Sequence, residues 1–175
     1  FFILRAQQFF TGKSEVLMPL GLYVLFNVFY AALAIPLGSL ADTLGKARVI
    51  ILGYLLYAAT CLGFAYLDST AGLVVFFGLY GVAHAAVDGT QRAFVSDLSA
   101  EGSRATALGA FHTTTGLLAL VAGLAAGILW QGISPRAAFL YGASLSVTAV
   151  LVFVVLGGRL GQVAPETHRR SDKSY

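Results

Sequence analysis

The chain has 175 residues, of which 58% are hydrophobic and only 11% charged, with a formal net charge of +3 and a pI near 9.2. Soluble domains carry about 25% charged residues, so this balance excludes an ordinary soluble domain. It also excludes a nucleic-acid binder, because the basic residues are scattered through loops and a tail and do not gather on one soluble face.

In chain order, residues 1–10 form an apolar piece too short to cross a bilayer and without an initiator Met. It reads as the end of a helix whose beginning is missing, which makes the chain a fragment. It has no basic leader and no small-residue cleavage site, so it does not read as a signal peptide. Five longer apolar runs follow, near 17–39, 49–67, 73–94, 105–130 and 137–156. Each approaches the roughly 20 residues that cross a bilayer as helix. The expected fold is therefore all-α and multi-pass: one truncated helix and five complete spans in a bundle over residues 1–160. The polar segment "GQVAPETHRRSDKSY", residues 161–175, reads as a flexible tail in which His168 is solvated.

Five crossings place the 40–48 loop, the 97–104 loop and the tail on one side. Lys46, Arg48, Arg104, Arg159, Arg169, Arg170 and Lys173 lie there, against Lys13 and Arg136 opposite. Basic loops stay in the cytoplasm, so the 40–48 loop and the C-terminus are expected to be cytoplasmic and the protein integral to a membrane. Cys61 lies inside the second span and reads as a small apolar packing residue.

Polar groups inside spans carry the functional question, because a charge at bilayer depth is costly and marks a cavity or a partner. Arg5 and Gln8, with Gln7, are candidates in the truncated helix. In the first full span Tyr23, Asn27, Tyr30 and Ala34 share a face suited to lining a cavity. In the third, His84, Asp88 and Arg92 follow an i, i+4, i+8 spacing on one face, to be weighed against a merely structural Asp88–Arg92 ion pair. The fourth carries Gly109, His112, Gly116, Ala119, Gly123 and Gly127 as a small-residue stripe that lets helices touch. His112 interrupts it at a depth comparable to Asp88, so the two are expected to meet, and a carboxylate beside an imidazole suits proton coupling. The second and fifth spans are nearly free of internal polar residues and read as lipid-facing supports without a site. No metal-ligand set and no nucleotide site is legible, so no cofactor is expected beyond a proton gradient.

The stretch "GSLADTLGKARVI", residues 38–50, separates the first two full spans. It is no phosphate-binding loop, because six residues separate Gly38 from Gly45-Lys46 and Ala47 stands where Ser or Thr is needed. It reads as a hairpin in which Gly38 ends a span and allows close helix approach, Gly45 permits the turn, Asp42 sits at the membrane surface, and Lys46 and Arg48 anchor to the leaflet. Gly38, Asp42, Gly45, Lys46 and Arg48 resemble the G-x-x-x-D-[RK]-x-G-[RK]-[RK] signature of the major facilitator superfamily, with Thr43 and Ala47 departing from its basic positions. Such weakening is common in the second half of these transporters. "DGTQRAFVSDLSAEGSRATALGAFHTTTG", residues 88–116, is similar to their tenth helix, loop and eleventh helix, with Asp97 before the loop and Arg104 opening the next helix.

The resemblance covers nearly the whole chain, as the end of the seventh helix through the twelfth. It implies a secondary transporter of a small solute, in which this half rocks against a missing N-terminal six-helix half in the lipid bilayer. It further implies a cytoplasmic latch in which Asp42 meets the N-terminus of the fourth full span and Arg104. Two other classes remain open at this point. One is an intramembrane enzyme using His84, Asp88 and His112 as acid/base groups; the other is a non-transporting assembly subunit joined through small-residue faces.

Overall fold

The computed structural model describes residues 1–10, 14–67, 69–100 and 102–163, the side chains of Glu15 and of residues 156–163 excepted. The tail expected from 161 lies outside these residues apart from the backbone of 161–163, as do Lys13, His168, Arg169, Arg170 and Lys173. Among the described residues six helices run in order: α1 (Phe2–Gln7), α2 (Ser14–Leu44), α3 (Lys46–Ala65), α4 (Thr70–Leu98), α5 (Arg104–Gly132) and α6 (Pro135–Val163). No strand occurs among the described residues. The protein is an all-α, multi-pass membrane protein, with α2 to α6 each long and apolar enough to span a bilayer.

The helical outcome follows from solvent, since hydrocarbon offers no partner for a backbone N–H or C=O and a helix satisfies both within the segment. A 29-residue helix extends about 43 Å, beyond the roughly 30 Å hydrocarbon layer, so the ends of α4 and α5 reach the headgroup zones. Local chemistry sets the boundaries. The Ser69 hydroxyl accepts from the Gly72 N–H at the start of α4, and the Ser134 hydroxyl accepts from the Ala137 N–H at the start of α6. Pro19 and Pro36 both lie inside α2.

Gly38 does not end the first full span. The helix continues through "SLADTL" to Leu44 because nothing there breaks it, and it stops at Gly45, whose φ of 95° leaves the helical region. A Cβ on Gly38 would meet nothing within 4 Å, so the expected close approach there is also absent among the described residues. One residue thus joins α2 to α3.

The four best-packed helices form a row, α2–α4–α3–α6, and α5 leans more lightly on α6 and α4. Small residues set the spacing in this row. A Cβ on Gly81 of α4 would lie 2.6 Å from the Phe26 carbonyl oxygen of α2 and 3.3 Å from the Tyr30 nitrogen. One on Gly53 of α3 would lie 3.1 Å from the Ala86 Cβ of α4. Backbones therefore nearly touch, which is how helices associate where lipid is as apolar as leucine. The main core sits at the end away from Gly45: Phe64, Leu73 and Phe77 are fully enclosed there and Phe139 and Leu67 nearly so, with Phe2 stacked on Tyr80 and edge-on to Phe64. A smaller cluster of Ala41, Val49 and Ala86 lies toward the hairpin.

Burial is uneven, in a pattern opposite to the expected division of labour. The expected lipid-facing support α3 is packed between α4 and α6 and buries Val49, Ile50, Gly53, Ala58, Thr60, Cys61, Phe64 and Ala65. In contrast, α5 buries no residue at all, and the described side chains of α2 that are buried are Pro19, Leu22, Phe26 and Ala41. The stripe Gly109, Gly116, Gly123 faces open space, a Cβ at each meeting nothing within 4 Å. The expected touch of a neighbouring helix is therefore not made at these three glycines among the described residues; Gly123 instead borders a space shared with α3 and α6, and a Cβ on Gly127 would lie 3.9 Å from Phe1.

Candidate functional site

The close approach at Gly81 brings α2 and α4 together one to two turns before Asp88. Tyr30 of α2 thereby reaches across, and its hydroxyl donates to Asp88 Oδ2 at 2.8 Å. From one turn further along α4, the Arg92 guanidinium donates to the same oxygen at 3.0 Å. Asp88 Oδ1 accepts no hydrogen bond among the described residues. Both members of the ion pair are about half exposed, 49% for Asp88 and 47% for Arg92, so the pair stands at an open face of the bundle.

One turn before Asp88, His84 sits in an aromatic enclosure. Its ring centroid is 4.7 Å from Tyr80, 5.6 Å from Phe26 and 6.4 Å from Tyr57. A cavity of about 220 Å³ opens between α3 and α4 against this group, lined by Tyr54, Tyr57, Ala83, His84, Val87, Asp88 and Gln91. The Gln91 amide donates to the Tyr54 hydroxyl across it. Tyr54 and Tyr57 also wall a second cavity of about 380 Å³ between α3, α5 and α6, where Cys61, Tyr141 and Ser146 contribute. The Ser146 hydroxyl donates to the Tyr54 carbonyl at 3.2 Å and ties α6 to α3 beside it. Cys61 is buried against Gly142 in that wall.

Not every candidate reaches this place. Tyr30 does, but the Asn27 amide folds back on the Tyr23 carbonyl of its own helix at 2.7 Å, and Tyr23 is 46% exposed. His112 is exposed on α5 and its side chain forms no hydrogen bond among the described residues, so the expected meeting with Asp88 does not occur. Equal depth is not proximity: α5 touches α4 lightly, and Asp88 is engaged on its α2 side by Tyr30. Arg5 and Gln8 lie at the far end, where Arg5 donates to Gln8 Oε1 and to the Leu67 carbonyl. There Arg5 borders a separate pocket of about 340 Å³ whose other arginine, Arg136, stacks 4.0 Å over Tyr66.

Tyr54, Tyr57, Tyr80 and Gln91 were missed in the sequence. One signal was available: Tyr80 extends the His84, Asp88, Arg92 spacing backwards by one turn, so the face is i, i+4, i+8, i+12.

At the hairpin, Lys46 donates to Asp97 at the end of α4 and stands 3.9 Å from Asp42 one turn back. Arg48 donates to the Leu44 carbonyl. Arg104 forms no ion pair among the described residues, and Asp42, 71% exposed, meets neither it nor the α5 N-terminus. The implied Asp42–Arg104 latch is thus replaced by Lys46 bridging two acids, because Asp42 is one turn from Lys46 whereas α5 packs on α4 and α6 and not on α2. An ion pair this exposed is worth at most about 1 kcal/mol. Lys46→Gln is therefore expected to lower the unfolding temperature in detergent by only a few degrees, and Asp42→Asn by less. A collapse of the fold in either variant would show that the network is shielded from solvent.

Comparison with known proteins agrees with this architecture. The sequence pattern described as Major Facilitator Superfamily matches residues 6–173. The chain is 46% identical over 159 residues to the uncharacterized MFS-type transporter MJ1317 of Methanocaldococcus jannaschii, a match covering 89% of this chain and 40% of that protein. The chain thus spans about two-fifths of the length of that relative. No solved structure matches it. With five bilayer-length helices, the Gly45 hairpin and a family match running through almost the entire chain, the protein belongs to the major facilitator superfamily of membrane transporters.

Proposed function

We propose that the chain is the C-terminal half of a secondary transporter that moves a small solute by alternating access, driven by a proton gradient and without another cofactor. The observation that carries this reading is the Tyr30–Asp88–Arg92 cluster: a half-exposed carboxylate at a cavity inside spans α2, α3 and α4. A carboxylate with one free oxygen, at bilayer depth and reachable from an open face, is able to exchange a proton or hold a solute group. Asp88 serves in this reading as the exchanging group, His84 and the tyrosines as cavity lining, and Arg92 as the counter-charge.

The open faces of α2 and α5 support a missing partner. Val16, Leu17, Val24, Ile35, Leu117, Leu120, Leu124 and Ile128 are all more than half exposed, and the match to the relative leaves three-fifths of that protein uncovered. An N-terminal six-helix half covers these faces in the intact protein, and the two halves rock against each other about the cavity. Lys46, Asp97 and Asp42 close the cytoplasmic end in one of the two states, with the C-terminus on the same side of a bacterial cytoplasmic membrane.

The test is solute uptake by the full-length protein in proteoliposomes under an imposed pH gradient. Accumulation abolished by a protonophore is expected. Turnover of a solute into product without flux would replace transport by an intramembrane enzyme, and neither flux nor turnover would leave an assembly subunit.

A further inference from the structure

The cavity between α3 and α4 has a composition that selects one chemical class. Asp88 is the only charged residue among its lining, and its Oδ1 atom is left without a donor among the described residues. The neutral polar groups are partly engaged with each other, since the Gln91 amide is bonded to the Tyr54 hydroxyl. The remaining wall is apolar and aromatic: Ala83 and Val87 with Tyr57 and His84 and, behind these rings, Tyr80 and Phe26, whose centroids are 4.6 Å apart. An anion entering this space would meet a carboxylate, and a sugar would find few unengaged donors and acceptors. A cation finds both a carboxylate and electron-rich ring faces.

The chain supplies its own evidence that the carboxylate takes a guanidinium or ammonium, because Arg92 already occupies Oδ2 from the far side. That pair is half exposed and makes one charge contact, at Oδ2.

We propose that this cavity binds the head group of an organic cation, an amine or quaternary ammonium, with its charge at Asp88 Oδ1 and its carbon surface against Tyr57 and His84, and that Arg92 is the rival cation that releases Asp88 as the solute binds. The inference rests on the reading of this cavity as the transport site and adds its substrate class. A space of about 220 Å³ is smaller than a drug-sized cleft, so it holds the head group and leaves the rest of the solute toward the open face.

The experiment is equilibrium binding of benzyltrimethylammonium to the purified full-length protein by calorimetry, with phenylacetate as the probe of opposite charge. Wild type is expected to bind the cation and not the anion. Asp88→Asn is expected to weaken binding by about tenfold or more, and Arg92→Gln to tighten it by about tenfold, each the loss of one charge contact at the carboxylate. Arg92→Gln leaves Asp88 and Tyr30 in place, so it decides the matter even if Asp88→Asn does not fold. A purely structural ion pair would make both variants weaker. No binding to wild type, equal binding of phenylacetate, or Arg92→Gln binding no tighter than wild type overturns the proposal. Flux separates this inference from the one beneath it. Cation binding with the stated pattern but no cation flux in proteoliposomes keeps the cation site and removes the transport reading. Asp88-dependent flux of a neutral or anionic solute without cation binding does the reverse.

Discussion

Asp88→Asn is expected to cut proton-driven accumulation by at least about tenfold while leaving the fold in place. The amide is nearly isosteric and its oxygen still accepts the Tyr30 hydroxyl proton, so the α2–α4 contact survives. What is lost is the ion pair to Arg92, both of whose side chains are about half exposed. The function suffers out of proportion, because an amide is neither charged nor ionisable. Uptake under a pH gradient, set against the unfolding temperature of the same preparation, separates the two effects. Full uptake in this variant would remove Asp88 from the coupling step. Tyr30→Phe provides the calibration: it keeps the charge, loses one hydrogen bond worth about 1 kcal/mol, and should reduce uptake far less.

The second large effect is structural. Gly81→Val is expected to destabilise the protein by about 1–3 kcal/mol, because its side chain would press on the Phe26 carbonyl, the Phe29 Cβ and the Tyr30 nitrogen. Two of these are backbone atoms, which cannot rotate aside as a side-chain tip does. Gly81→Ala sharpens the argument. In a helix interior, alanine is favoured over glycine by roughly 1 kcal/mol, so an isolated α4 would gain from the change. A lowered unfolding temperature in Gly81→Ala would therefore report the α2–α4 approach itself, and a raised one would mean that the helices have room to part. Because the same approach positions Tyr30 against Asp88, Gly81→Val should lose uptake along with stability.

Much of the fold was legible because the bilayer leaves so few options. Four of the five apolar runs fall wholly within a helix, and the run near 49–67 overshoots only at its end, where α3 stops at Ala65. Gly45 was legible as a turn because glycine is the residue in "ADTLGKAR" that takes a positive φ without steric cost. The His84, Asp88, Arg92 face was legible for the same reason as any helical stripe, since period alone puts those residues together.

What escaped depends on how faces meet, which period does not encode. Tyr54 and Tyr57 look like filler in an apolar span, and become a cavity wall only because Gly53 lets α3 lie close to Ala86. His112 was assigned to Asp88 by depth along the membrane normal, a coordinate that says nothing about lateral position. Asp42 was paired with Arg104 through the family resemblance, while Lys46, one turn away, was the nearer charge.

The connection through Gly45 has a mechanical corollary. With one residue between them, α2 and α3 have no slack at that end, whereas α4 and α5 are separated by residues 99–103. A tilt of α2 drags the base of α3 with it, so Tyr30 on one helix and Tyr54 and Tyr57 on the other travel as parts of a single lever. Of the five long helices α5, which buries no residue, is the one least tied to that lever.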